Sequence, residues 1–419
     1  MRRALLLSFM TAMASVFFGC SIDRTLTLAT AGVQPYVSQP GSPAPSWQVF
    51  TVDSNQGSNV IGIVTGPDGN LWIGDSPGSI ARVTPSGSVT LFPLPNPFSY
   101  PLSLCRGPSD TIWFTENGTG YIGKITMSGQ ITEYTANPLP SSRTDFITRG
   151  KDGNFWFSET NVNYPNGVIG RIRPSGRFLS YLVSPSAVAG PGITTGPDGN
   201  VWFVELNAGK IGKVTPQGQF TEFGGTGSEV EEIAPGPDGN LWFTVADGHV
   251  GKSTVDGSIT VYSIPGSNLG LGPITDGPDK HLWVGAVDAN ELIRIDTAGN
   301  FNIFAIPFSG MPQPYGITTG PDRNVWFTVN GYRVGVYIRL RMTVTPSSLT
   351  FSSIGQMQTI SVKETHYHGS WTATSDPSVV SVSQSGSDTF TVTAVGTGST
   401  TIDILDSDHN DFTVPVVVQ

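Results

Sequence analysis

Cysteine is nearly absent: the 419 residues hold two, Cys20 and Cys105. No framework of disulfides can therefore hold the chain together, and its stability must come from packing. Charge is scarce as well, at 13% of residues, and the formal net charge is −10. That balance excludes a general affinity for nucleic acid, which rests on clustered Lys and Arg. Histidine is sparse. No stretch reads as a long amphipathic helix, a Gly-rich phosphate loop, a serine-nucleophile elbow or a paired-cysteine motif. What the chain does have is glycine and proline, 51 and 32 residues, the profile of many short strands joined by turns. Its length suits two or three domains.

The first residues, Met1-Arg2-Arg3, lead into an apolar run from Ala4 to Phe18, right for a signal peptide and too short for a mature spanning helix. The run ends at Gly19-Cys20 and resembles a bacterial lipoprotein signal over residues 1–20, in which Cys20 is acylated after cleavage. Phe17 and Phe18 depart from that pattern, which usually has Leu and a small residue there. An uncleaved anchor, or secretion with a cut after Ala29-Thr30-Ala31, stays open beside it. Each buried methylene of an acyl chain contributes about 0.8 kcal/mol of membrane affinity. The expected location is extracytoplasmic, held at a bacterial envelope by lipid, or secreted if Cys20 is not used. Residues 21–45, rich in Ser, Thr and Pro, read as a tether.

A repeat follows. Trp72, Trp113, Trp156, Trp202, Trp242, Trp283 and Trp326 recur at spacings of 41, 43, 46, 40, 41 and 43. A turn precedes each, most cleanly Gly66-Pro67-Asp68-Gly69-Asn70, Gly196-Pro197-Asp198-Gly199-Asn200 and Gly236-Pro237-Asp238-Gly239-Asn240. Asp-Gly tolerates the positive φ of a tight hairpin, so two strands meet there. A second alternating phrase follows the tryptophan, as in Ile122-Gly123-Lys124-Ile125 or Ile211-Gly212-Lys213-Val214, then a Ser-Gly or Gln-Gly turn and a further alternating stretch such as Phe220-Thr221-Glu222-Phe223. Four strands every 40 to 46 residues are a propeller blade, because one twisted sheet cannot cover its own two apolar faces and must stack radially. The expected fold is all-β, with a seven-bladed β-propeller over residues 46–340. The seventh unit lacks a fourth strand, and Trp47 to Val52 matches the outer-strand pattern, so this segment should close the ring and remove its open edge.

From residue 341 the text changes to short Val, Thr and Ser strands with turns every 8 to 12 residues, the pattern of a β-sandwich. Phrases such as Ser375-Asp376-Pro377-Ser378-Val379-Val380 resemble bacterial immunoglobulin-like domains. The expected role of residues 341–419 is a spacer or adhesion module. His366 and His368 lie in one loop and Asp406, Asp408 and His409 in another, a set whose metal-binding capacity depends on whether the loops meet.

The blade phrases Ile193-Thr194-Thr195-Gly196-Pro197-Asp198-Gly199-Asn200-Val201-Trp202-Phe203 and Ile211-Gly212-Lys213-Val214-Thr215 look like the repeats of the virginiamycin B lyase family, over roughly residues 46–340. The resemblance implies a scaffold that opens a cyclic depsipeptide at its ester by elimination, with a magnesium ion and a histidine base at the mouth of the last two blades. At the matching positions this chain has Gly272 and Tyr315 in place of the histidines, and Gln313 and Asn330 in place of the carboxylates. Neither Gly nor an ordinary Tyr supplies a base near neutral pH, so the expectation is the scaffold without streptogramin lyase chemistry.

In propellers, ligands usually bind where the innermost strands begin. The third residue after each tryptophan is Asp75, Glu116, Glu159 and Glu205 in the first four units, then Val245, Ala286 and Val329. Glu231 adds a carboxylate in the fifth unit, and Tyr100, Tyr315 and Tyr332 offer aromatic surface. Asp75, Glu116, Glu159, Glu205, Glu231 and Tyr315 are therefore the candidate site, with one side of the mouth acidic and suited to a divalent cation such as magnesium, or to a cationic or hydroxyl-rich ligand. The same acids would equally serve to satisfy loop amides or neighbouring Lys and Arg. Three functions follow: a binding protein for a small molecule, glycan or protein at the mouth; a metal-dependent lyase or hydrolase with relocated groups; or a scaffold without a small-molecule site.

Overall fold

The computed structural model describes residues 27–29 and 46–419 except for 55–57, 136–141, 162–163, 183–188, 206–207, 225, 267–268, 311, 330, 339–341, 365–370 and 407–410. The described residues form strands and turns, without an α-helix. Blade 1 is Asn59–Thr65, Leu71–Ser76, Ser79–Val83 and Val89–Pro93, in sheet order from inside to outside. Blade 4 repeats it as Ala189–Thr195, Val201–Glu205, Lys210–Val214 and Phe220–Phe223, and blades 2, 3, 5 and 6 keep the same order. The first strands lie side by side around the ring, that of blade 7 against that of blade 1.

Closure occurs where the sequence pattern places it. Blade 7 takes Pro314–Thr319, Val325–Val329 and Arg333–Ile338 from one end of the propeller and Ser46–Thr51 from the other. The added strand runs antiparallel, from Ser46 opposite Ile338 to Thr51 opposite Arg333. Phe50 stacks on Trp326 at 5.7 Å, as Phe92 does on Trp72 at 5.6 Å. The N-terminal strand thus supplies the aromatic that a fourth strand carries in the other blades.

The repeated phrases have local causes. Each repeat tryptophan is at most 1% exposed and faces the next blade, as Trp113 does in stacking on Phe155 at 4.0 Å. The residue after it faces the preceding blade and, in blades 2, 3, 4, 5 and 7, is a Phe lying over the glycine of the third strand. A Cβ at Gly212 would stand 2.2 Å from Phe203 Cζ, so no larger residue fits without moving the ring.

The turn before the tryptophan is a hydrogen-bond hub. Asp198 accepts the Asn200 backbone N–H at 3.1 Å, Asn200 Nδ2 at 2.8 Å and the indole Nε1 of Trp202 at 3.0 Å, while Gly199 supplies φ 82°. Lys213 lies 3.7 Å from Asp198, its ammonium 5.0 Å from the centre of the Trp202 ring, and donates to the Val255 carbonyl of blade 5 at 3.0 Å. Arg171 and Lys252 reach the following blade in the same way. This explains the Gly-Pro-Asp-Gly-Asn and Ile-Gly-Lys phrases: where both are present, they lock one end of the blade and tie it to the next.

Two short strands escaped the sequence reading. Residues 21–45 are not wholly tether: Thr27–Ala29 adds a parallel strand to the outer edge of blade 5, beside Thr260–Tyr262, covering an edge that would otherwise be open. After the propeller, Met342–Thr345, Met357–Glu364, Thr389–Ala394 and Val380–Gly386 form one sheet. Leu349–Phe351, Asp411–Val418, Gly398–Asp406 and Trp371–Ser375 form a second sheet. The two share one buried core that includes Phe351, Trp371, Phe390 and Val416. The strand Leu349–Phe351, parallel to Val416–Val418, is too short to stand out as a pattern. His366, His368, Asp408 and His409 lie outside the described residues.

Candidate functional site

The mouth is the end at which the loops between second and third strands meet the loops between blades. Every innermost strand breaks register there, for example between Val60 and Ile63, Thr144 and Ile147, Val230 and Ile233, and Pro314 and Ile317. Such a bulge sets two residues against one and re-aims a side chain. The residue two places before the buried Ile or Leu is Ile61, Leu102, Asp145, Glu231, Gly272 and Tyr315 in blades 1, 2, 3, 5, 6 and 7, each partly exposed. Blade 4 inserts Gly190-Pro191-Gly192 instead. The bulges are held from the preceding blade: Thr115 donates to the Asp145 carbonyl at 2.7 Å, Thr244 to that of Gly272 at 2.8 Å and Thr328 to that of Ile61 at 2.7 Å.

Asp75, Glu116, Glu159 and Glu205 lie at or within two residues of the ends of the second strands of blades 1 to 4, at the mouth end as expected, but they are not an open acidic rim. Their exposures are 2%, 0%, 1% and 0%. They lie on the same blade face as the residue that follows the tryptophan, Ile73 in blade 1 and Phe in blades 2 to 4, where packing seals them. Burial pushes Glu205 up to about 7, reinforced by the charge of Glu222 and opposed by Lys210, which pairs with Glu222 at 3.1 Å. Glu116 is likewise raised to about 7 by burial, with Glu133 adding to the shift and hydrogen bonds from Ser99 and Thr119 opposing it. Asp75 is raised to about 6, chiefly by burial and against a hydrogen bond from Ser58.

Glu231 and Tyr315 do stand at the mouth. Glu231 neighbours Glu232, whose carboxyl is raised well above the usual range by burial first and then by the charge of Glu231. The Tyr315 hydroxyl donates to Gln313 Oε1 at 3.0 Å, and Gly272 offers no side chain. Asn330 and Cys20 fall outside the described residues. Asp145 was missed by sequence reasoning. It accepts from Asn117 Nδ2 at 2.7 Å, and burial raises it to about 7 against bonds from Thr160 and Asn117 and the nearby Arg143. Aligning the innermost strands on their Ile residues would have found it, two places before Ile147. The second omission is a pair in blade 5, where Asp247 meets His249 Nδ1 at 2.6 Å and accepts from Ser228 Oγ at 2.6 Å. A loop from between blades 4 and 5 brings Ser228 in, and no linear signal marks that meeting.

The residues at the matching positions do not fit a magnesium ion, which wants hard oxygen ligands free to coordinate. Gly272 supplies none, and the Gln313 oxygen is taken by Tyr315. Among the described residues, no group of three or more His, Cys, Asp and Glu is arranged to hold a metal.

Fold and site together define a closed seven-bladed propeller with one uniform, locked end and one variable mouth. The chain belongs to the virginiamycin B lyase family, whose model matches residues 41–230 and 224–350. A virginiamycin B lyase from Nocardia farcinica is 31% identical over 229 residues, covering 54% of this chain and 76% of the relative. A solved streptogramin B lyase superposes with a TM-score of 0.64 at 30% identity, over 70% of this chain and 96% of that one. A catalytically inactive histidine-to-alanine variant of the Staphylococcus aureus virginiamycin B lyase, solved with quinupristin, superposes with a TM-score of 0.62 at 30% identity, over 70% and 99% of the two chains.

Proposed function

We propose that this protein is an extracytoplasmic, lipid-anchored binding protein whose propeller takes a ligand or partner at the mouth and does not linearise streptogramins. One observation carries the reading: the positions matching the relatives' reactive groups hold Gly272 and a Tyr315–Gln313 hydrogen-bonded pair, neither of which is a base at neutral pH. The relative inactivated by loss of one histidine supports this, since this chain's described mouth histidine, His249, sits in blade 5 at a different place in the repeat. Asp145, Glu231 and Glu232 give the mouth carboxyls that the locked end does not spare. The C-terminal pair of sheets serves as an immunoglobulin-like spacer, and Cys20 carries the lipid.

The test is direct. Purified protein with magnesium should leave streptogramin B intact in a mass-spectrometric assay, and Cys20→Ser should move the protein from the membrane to the soluble fraction. Efficient linearisation would overturn the binding reading, and an unchanged distribution would overturn the anchor. A second reading, a lyase or hydrolase with relocated groups, is favoured by the Asp247–His249 pair. Asp247 holds Nδ1 and leaves Nε2 directed away from that bond, the arrangement of an oriented base. Turnover of any ester that disappears in His249→Gln would support it.

A further inference from the structure

The mouth carries a second feature. Three large aromatics are held out into solvent on its loops: Phe98 is 63% exposed, Tyr100 45% and Tyr332 43%. Phe98 and Tyr100 belong to the loop joining blades 1 and 2, and Tyr332 to the loop between the second and third strands of blade 7. The arc is continuous. The Val52 N–H donates to the Tyr332 carbonyl and the Val60 N–H to the Gly331 carbonyl, each at 2.7 Å, tying the blade 7 loop to the start of blade 1. Leu94 N–H bonds to Gly78 O at 2.9 Å, tying blade 1 to the Phe98 loop.

The ring of Tyr100 is placed at a cost. Its φ is 50°, a conformation a non-glycine residue adopts only when its surroundings impose it, and one that gathers at functional sites. Bonds on both sides impose it here: the Tyr100 N–H donates to the Pro77 carbonyl at 2.7 Å, and the Asn117 N–H donates to the Tyr100 carbonyl at 3.1 Å. Gly118 makes room, since a Cβ there would meet Tyr100 Cδ2 at 2.6 Å. Strain, hydrogen bonds and a permissive glycine combine to hold out a ring that stays 45% exposed.

The same end is acidic. Asp145, Glu231 and Glu232 stand on the innermost strands, with Asp247 and Asp288 in its loops. Three cations at this end are already engaged: Lys210 with Glu222 at 3.1 Å, Arg333 with the Ser309 carbonyl at 3.2 Å, and Arg143, whose charge acts on Asp145. At the opposite end, Lys and Arg stand beside the turn aspartates. Aromatic faces attract cations and stack on aromatic side chains; Glu231 supplies complementary charge, and its neighbour Glu232, kept protonated by burial and by that charge, ionises as a cation approaches.

We infer that the mouth binds a basic, aromatic-bearing peptide segment of a protein partner, its cations over Glu231 and Glu232 and its rings against Phe98, Tyr100 and Tyr332. This rests on the mouth-binding reading and names its ligand class. The probes are three fluorescein-labelled linear hexapeptides, alternating Lys with Trp, Glu with Trp, and Lys with Ser, followed by fluorescence polarisation at about 0.15 M salt, where exposed charges beyond roughly 8 Å are screened. Saturable binding is expected for the Lys–Trp peptide alone. Phe98→Ser with Tyr332→Ser should weaken it at least about tenfold, the loss typical of interface aromatics. Tyr100→Gly, which relieves the backbone strain as it removes the ring, should also weaken binding while leaving the melting temperature unchanged or higher, so a folding defect cannot mimic the result. Glu231→Gln with Glu232→Gln should lower affinity and flatten its salt dependence, and Asp256→Asn at the opposite end should change neither. Equal binding of the Glu–Trp peptide, no binding of the Lys–Trp peptide, or rim variants that bind as wild type does would each overturn the proposal. If the Lys–Trp peptide fails while another compound gives a thermal shift lost in the Glu231→Gln, Glu232→Gln variant, the mouth-binding reading survives without its peptide.

Discussion

The two ends of the propeller use the same residue type in opposite ways. At the locked end, burial alone would raise Asp198 and Asp238. Hydrogen bonds from the turn asparagine and the tryptophan indole, with a lysine nearby, outweigh it and hold both carboxyls below 3.8. At the mouth end, burial wins over the few bonds on offer, and Glu116, Asp145 and Glu205 rise to about 7. A carboxylate at the locked end is consumed by structure. Those three at the mouth end are held close to neutrality, whereas Asp247, bonded to Ser228 and His249, is lowered there; such shifts mark sites as well as stress. The repeat sequence is uniform at the locked end and variable at the mouth.

The comparison breaks most severely if the ring opens. Deleting residues 46–51 removes the strand on which Phe50 covers Trp326 and Trp47 packs edge-on to Tyr337 at 5.0 Å. The expected loss is about 5 kcal/mol or more, since truncating one large aromatic in a core costs about 3–5 kcal/mol. An unchanged urea midpoint would contradict closure. Next in size, Asp198→Ala strands the buried indole N–H of Trp202 and leaves Lys213 without its carboxylate, at about 2–3 kcal/mol. The matching change in the mouth, Glu231→Gln, should move the midpoint very little.

Blade 2 offers a way to sharpen the comparison. Its turn has Ser109 where the other six have the hub aspartate, and Ser109 and Asp110 both take positive φ, 53° and 52°. Trp113 Nε1 is buried there without a hydrogen-bond partner. Replacing Ser109→Asp together with Asp110→Gly should install the missing hub and raise stability by about 1 kcal/mol; a loss would show that the blade 2 turn cannot adopt the common form.

The last effect is a change of slope with pH. Glu205 has a folded value of about 7 against an ordinary 4.5, so the folded state holds more protons in that window and stability falls as pH rises through it. Glu116→Gln with Glu205→Gln should flatten the decline between about pH 4.5 and 7, with the greatest gain above 7. At the locked end the sign reverses: the stability from Asp198 is present above pH 3.8 and is lost as pH falls below it. A double variant whose stability keeps the wild-type slope between pH 4.5 and 7 would show that these two groups are not the source.

The ring, its blade number and its closing strand were legible because each rests on a local rule repeated in register: a glycine at positive φ, an indole over an aspartate, an aromatic on the outer strand. Asp75, Glu116, Glu159 and Glu205 were legible as a column, yet their exposure was not. A strand end looks open in sequence, and only packing in the folded ring closes it. Asp145 was hidden for a related reason, because a bulge changes which residue of the strand is turned toward the mouth. The Ser228–Asp247–His249 meeting depends on a loop crossing between two blades. Tyr100 was visible as an aromatic, while its strained backbone was not.

The most direct test of the contrast between the two ends is a carboxyl carbon NMR titration, with signals assigned by Asp145→Asn, Asp198→Asn and Glu205→Gln. Asp145 and Glu205 should titrate near 7 and Asp198 below 3.8. If all three instead titrate together near 4, the mouth holds no reserve of near-neutral carboxyls and its chemistry does not differ from that of the locked end.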